Sequence, residues 1–180
     1  DYFVQFLLAN NGETKHFFHG IHGINSPMQL DQATVLSDAI RSNNNNGNIE
    51  SFTFIVSCDS SEVFQPVWDA LVLTTRVRDL KLNVHFQENN NVNGGSNNLD
   101  FSNISINTSL KELQLKIPLY GTNLFDSIKG NTTLKKLIVR LPLYGNANLD
   151  ERGKKAFIEM LLENTTLLHV QLRDGVLFDI

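Results

Sequence analysis

At 180 residues the chain is long enough to bury a proper core and short enough to form one domain. A formal charge of -4 and a pI near 5.7 give nothing global to attract nucleic acid or an anionic membrane, and no apolar run approaches the roughly 20 residues needed to cross a bilayer. The single cysteine, Cys58, excludes a disulfide framework, favours a reducing compartment, and in its apolar segment reads as a small buried hydrophobe.

In chain order, Tyr2-Phe-Val-Gln-Phe-Leu-Leu8 is too short for a secretory signal and lacks its basic flank. With Lys15-His-Phe-Phe-His19 it flanks Asn10-Asn11-Gly12, and the pattern predicts a β-hairpin. His16, His19 and His22 follow one another at steps of three. On a strand His19 would point away from the other two, Gly20 and Gly23 argue against a helix, and no Cys or carboxylate cluster adjoins, so no metal is expected. Ser26-Pro27-Met28-Gln29 has the form of a capping box with Pro at the first helical place, continued by Leu30, Ala33, Leu36 and Ile40. A polar tract, Asn43 to Asn46, ends that helix. Next come Ile49-Glu-Ser-Phe52-Thr-Phe54, a weak strand, and Phe64, Val67, Trp68 and Leu71, one helical stripe with Pro66 in its first turn. Val77-Arg-Asp-Leu80-Lys-Leu82 predicts another strand, and Gln87 to Asn98 a polar low-complexity loop.

The second half of the chain repeats itself. Asn107-Thr-Ser-Leu110-Lys-Glu-Leu113-Gln-Leu115 returns as Asn131-Thr-Thr-Leu134-Lys-Lys-Leu137-Ile-Val139 and again as Asn164-Thr-Thr-Leu167-Leu-His-Val170-Gln-Leu172. Counting the two weaker strands, the leading apolar residues fall at 49, 77, 110, 134 and 167, at steps of 28, 33, 24 and 33. Such a step suits one strand plus one returning segment. If the leading apolar residue is position 1, positions 4 and 6 lie two apart and share the core face of a short strand, while 3, 5 and 7 face solvent. The step of 24 leaves room for about two helical turns around Phe125, Ile128 and Lys129. A last helix is expected behind an Asp150 N-cap, with Ala156, Phe157, Met160 and Leu161 on its inner face. Asn107, Asn131 and Asn164 suit a helix-terminating place, where Asn tolerates the left-handed conformation.

On these residues the chain resembles leucine-rich-repeat proteins of the ribonuclease-inhibitor-like, strand/helix type, over roughly Ser26 to Leu172. The resemblance implies an α/β solenoid of about five repeats with a parallel sheet on a concave side, helices on a convex side, and protein recognition through the concave face. Residues 1–24 are then a hairpin cap over the end of the core, and 25–180 one continuous solenoid. The chain departs from the family where Lys116-Ile-Pro-Leu-Tyr-Gly121 and Arg140-Leu-Pro-Leu-Tyr-Gly145 place Pro118 and Pro142 after the strand, which predicts a less regular ladder. Leu177-Phe-Asp-Ile180 follows the last strand without a polar cap, and is read as a hint of continuation or of a partner over that end.

Among positions 3, 5 and 7, five basic residues (Lys81, Lys116, Lys136, Arg140, Arg173) stand against two acidic ones (Asp79, Glu112). The predicted contact lies on the C-terminal half of this face, at Lys116, Lys136, Ile138, Arg140, His169, Gln171 and Arg173. It would meet an acidic surface of a protein partner, with charge acting chiefly on the rate of encounter. Four Asn-x-Ser/Thr sequons occur, at Asn103, Asn107, Asn131 and Asn164, and three of them are the repeat's own corner. Searches for phosphate-binding loops, H-E-x-x-H, dinucleotide motifs and nucleophile elbows fail. The expectation is a scaffold that binds a protein partner through the concave sheet face or its rim, neither an enzyme nor a cofactor binder. The other reading is an accessory region of a larger enzyme or regulator that selects substrate or inhibits in cis. A cytoplasmic setting is the expectation from the cysteine count alone, and a chain beginning at Asp1 reads as a fragment or processed product whose targeting signals lie outside it.

Overall fold

The structure, a computed structural model, describes residues 16–20, 27–46, 49–86, 99–117, 123–141, 149 and 151–173. Its strands are β1 (His16–Gly20), β2 (Ser51–Cys58), β3 (Asp79–Phe86), β4 (Glu112–Lys116), β5 (Lys136–Arg140) and β6 (His169–Arg173). They form one sheet in the order of the chain, every neighbouring pair parallel. The returning segments are α1 (Leu30–Asn46), α2 (Ser61–Val72), a single 3-10 turn at Ser102–Ile104, α3 (Asn123–Lys129) and α4 (Glu151–Glu163). Each packs beside the next in sequence, so they make a second layer over one face of the sheet. This is an α/β fold consistent with a strand/helix solenoid.

Alternation decides which face is covered. In β2 the residues alternate between half-exposed and buried, and Phe52, Phe54, Val56 and Cys58 go inward. The same parity buries Leu80, Leu82 and Val84 in β3, Leu113 and Leu115 in β4, and Leu137 and Val139 in β5. Trp68 and Phe64 from α2, Ile104 from the 3-10 turn, and Phe125 and Ile128 from α3 meet them in one continuous core. Two aromatic pairs bridge neighbouring segments edge to face: Trp68 with Phe101 at 5.1 Å, and Phe125 with Phe157 at 5.2 Å.

Several expectations change. His16–Gly20, the second arm of the predicted hairpin, runs parallel to β2 as the first strand of the sheet, which therefore has six strands; the first arm, Tyr2 to Leu8, lies outside the described residues. Helix α1 begins at Leu30, three residues after Pro27. Met28 is buried and pairs with the end of β2, its N–H donating to Ser57 O at 2.8 Å, and this contact holds the segment extended. The Gln29 N–H is capped by Gln32 Oε1 at 3.0 Å. In α2 the helix starts at Ser61 behind an N-cap at Ser60, whose Oγ accepts from Val63 N, and Pro66 consequently lies in the second turn. In α4, Ala156 and Met160 are buried and Phe157 is partly so, but Leu161 is 47% exposed rather than inward. The core positions of the last unit, Leu167, Val170 and Leu172, are only partly buried, because no described segment packs beyond β6. Asp150 and the Pro118 and Pro142 turns lie outside the described residues. No helix among the described residues is long and apolar enough to cross a membrane.

Candidate functional site

The asparagine corners set the register from which the site is built. Asn131 Nδ2 donates to Ile104 O at 2.6 Å and to Asn107 O at 3.0 Å, while its Oδ1 accepts from Thr133 N at 2.9 Å and Leu134 N at 2.7 Å. Asn164 repeats the arrangement one unit on, donating to Ile128 O and Asn131 O and accepting from Thr166 N and Leu167 N. Asn107 begins it, with Nδ2 on Val72 O and Oδ1 accepting from Ser109 N and Leu110 N. The hydroxyls two residues later reinforce each link: Ser109 Oγ to Thr74 O, Thr133 Oγ1 to Asn107 O, Thr166 Oγ1 to Asn131 O. These residues thus do more than end a helix. Each side chain closes its own corner and ties it to the unit before. A glycan on Nδ2 of Asn107 or Asn131 would consume donors the buried corner uses, so the structural reading accounts for those sequons in the folded chain.

With the corners fixed, each strand begins at the same height and like positions line up across the sheet. Position 3 runs Asp79, Glu112, Lys136, His169; position 5 runs Lys81, Gln114, Ile138, Gln171; position 7 runs Asn83, Lys116, Arg140, Arg173. Lys116, Arg140 and His169 are exposed, and Lys136, Ile138 and Gln171 half-buried, on the face away from the helices. Lys116, Lys136, Ile138, Arg140, His169 and Gln171 of the expected contact residues therefore share one open face, and the register sets the backbone of Arg173 beside Arg140. At position 3 charge is settled internally, since Lys136 Nζ lies 3.0 Å from Glu112 Oε2. At position 7 no carboxylate among the described residues pairs with Lys116 or Arg140. His85, one step further along β3, is held below the ordinary imidazole range by its burial and then by the Lys116 ammonium.

A second basic row was not anticipated. Arg78, Lys111 and Lys135 occupy position 2 on three adjacent units, and Leu168 follows, 82% exposed. Strict alternation would send position 2 to the covered side. Instead two successive N–H groups share one carbonyl at each strand entry: Arg78 and Asp79 on Glu50 O, Lys111 and Glu112 on Arg78 O, Lys135 and Lys136 on Lys111 O, all at 2.7 to 3.1 Å. The shared carbonyl makes each strand entry irregular while the register beyond it stays one to one, and positions 2 and 3 both lie outside the core between buried positions 1 and 4. The signal was present as the basic residue directly after Val77, Leu110 and Leu134, but only the pairing gives it a direction. Beside Arg78 lies a polar cleft of about 190 Å³ shared with Glu50, Thr75 and Arg76.

Other chemistry is sparse. Among the described residues no group of three or more His, Cys, Asp or Glu could hold a metal ion. The β1 register sets His16 opposite Ser51 and His19 opposite Phe54, positions of opposite parity, while His22 lies outside the described residues. Cys58 is fully buried, and burial, then the Asp59 charge, pushes its thiol up to about 12. Native protein is expected to resist iodoacetamide at pH 9 and to react once unfolded in urea, read by mass. Because the folded thiol keeps its proton where the unfolded one, near 9, has lost it, stability should fall as pH rises from about 9 toward 12. Rapid alkylation of folded protein would contradict that burial.

No protein-family model matches this sequence, and none of the curated proteins does. Among solved structures the chain is similar to one titled Leiomodin-1 Actin-Binding Site 2 (ABS2), at 13% identity and a TM-score of 0.48, with 98% of this chain and 78% of that one covered. At this level the likeness assigns neither a family nor a partner.

Proposed function

We propose that the chain is a leucine-rich-repeat solenoid that binds a protein partner through its open sheet face, with the basic C-terminal half of that face meeting an acidic surface. The observation that carries this reading is the uncovered face itself. Helices blanket one side of the sheet, while the other carries aligned polar rows with Lys116 and Arg140 unpaired among the described residues. A sheet that merely needed solubility could have balanced those charges as it does at Glu112 and Lys136. The role is one of recognition without chemistry, in a cytoplasmic setting suited to a lone buried thiol.

The test is affinity capture from the native source, followed by kinetics with the purified partner. Replacing Lys136→Glu and Arg140→Glu together should leave the thermal melt within a few degrees of wild type and slow association about tenfold at low salt. The difference should shrink as salt rises past 0.15 M, where the Debye length is about 8 Å. An unchanged association rate at low salt would sink the reading.

A further inference from the structure

We propose that this face takes an acidic amphipathic α-helix laid across strands β4 to β6, an inference that rests on the docking reading above and gives it a specific partner chemistry. The fold leaves like charges side by side on this face. Lys111 and Lys135 are stacked by the Lys135 N to Lys111 O bond of 2.8 Å; Arg78 precedes them but has the acid Glu50 next to it through Arg78 N to Glu50 O at 2.8 Å, so the excess lies on the two lysines. Neighbouring strands lie about 4.8 Å apart, and like charges directly opposite one another destabilise a sheet. The same holds at the other end of the strands, where Lys116 and Arg140 are opposite one another and the register continues to Arg173. Between the two rows, Lys136 and Glu112 cancel. One row is thus neutralised within the sheet, and the two outer rows are left for an external counter-charge.

Spacing identifies what can supply it. Position 2, just before each strand, lies five residues from position 7, at most about 16 Å at 3.3 Å per residue. The middle of that span is uncharged on β4 to β6: Gln114, Ile138 and Gln171, with Ile138 half-buried at the centre. An extended peptide laid across the strands is too narrow to touch both rows, and one laid along them would meet a single residue of each row. A helix, about 10–12 Å across with its side chains, fits between them, carboxylates on both flanks reaching the rows and an apolar stripe resting on Ile138. Crossing from β4 to β6 covers roughly 10 Å, about six or seven helical residues. A nucleic-acid duplex offers no apolar stripe for Ile138. It would also meet a chain of net charge -4.

The probe is a fluorescein-labelled peptide of about 14 residues, four turns when helical, with a leucine stripe flanked by glutamates and a side-chain crosslink that locks the helix. A twin of the same composition carries two prolines in place of the lock, and a short DNA duplex serves as competitor. Anisotropy would be read at low salt on wild type, on Lys111→Glu/Lys135→Glu, on Lys116→Glu/Arg140→Glu and on the quadruple variant, each checked by thermal melt. The locked helix should bind wild type. Each pair of reversals should weaken it about tenfold, the quadruple should abolish it, and the proline twin should bind at least tenfold worse. Equal binding of the proline twin overturns the helix, and tighter binding of duplex DNA overturns the partner class. If only the position 7 pair matters, the two-row geometry is wrong while the docking reading stands. Failure of the locked helix, with native-partner association still slowed by Lys136→Glu and Arg140→Glu, separates the two in the same way.

Discussion

Asn131→Ala should lower the free energy of unfolding by about 3–5 kcal/mol, because the change orphans several buried backbone groups at once. The side chain is 2% exposed and makes four bonds to main chain, two as donor and two as acceptor. Alanine leaves Thr133 N, Leu134 N and Ile104 O without it, and both Leu134 and Ile104 are fully buried. A net hydrogen bond contributes only about 1 kcal/mol, but a buried group left unpaired costs about 1–3 kcal/mol, so the second effect dominates. Asn131→Asp should be no milder. It keeps the acceptor edge and turns the donor edge into an anionic oxygen facing two carbonyls. Thr132→Ala, at the exposed neighbouring position, is the control and should stay within about 0.5 kcal/mol of wild type. Urea unfolding followed by circular dichroism measures all three, and a loss below 1 kcal/mol for Asn131→Ala would show that the corner does not hold the units together.

Phe125→Ala should cost about as much, 3–5 kcal/mol by the usual penalty for truncating a fully buried aromatic. Helix α3 has only seven residues, too few to be stable in water alone, and it stays in place through Leu124, Phe125 and Ile128. Phe125 also meets Phe157 of α4 edge to face, so its removal loosens two returning segments. Phe157→Ala removes the same ring contact from the half-exposed side and should cost clearly less, about 1–2 kcal/mol. Urea melts give the ranking, and limited proteolysis should cut the Phe125→Ala protein first near α3. Equal losses for the two substitutions would mean that the ring pair, rather than burial of Phe125, carries the stability.

The inward face was legible because period-two alternation needs no knowledge of the partner strand. Phe52, Leu80, Leu113 and Leu137 could be placed in the core from their spacing to the next apolar residue alone. The open row of Lys116, Lys136, Ile138, Arg140, His169 and Gln171 followed as the complement of that pattern. Leu161 went astray because a short helix with apolar residues on more than one side has no unique inner face until its neighbour is known. The turn signal at Asn10-Asn11-Gly12 assigns Lys15 to His19 to a separate hairpin, because parallel pairing leaves no local sign and depends on a strand more than 30 residues away.

What the sequence by itself determined is the repeat: which residues go inward, where the corners fall, and which side chains are left to line an open face. The tertiary structure alone decided the register, and with it the features that depend on residues distant in the chain. Asn131 could be seen at its corner, but not that its amide reaches Ile104 and Asn107 of the unit before. Lys136 and Glu112 are 24 residues apart and neutralise one another only because their strands start level. Lys111 and Lys135 stand outside the core only because two N–H groups share one carbonyl at each strand entry. The physical reason is the same throughout: side-chain periodicity is a local property of the backbone, whereas hydrogen bonds and charge pairs between strands belong to the pairing itself.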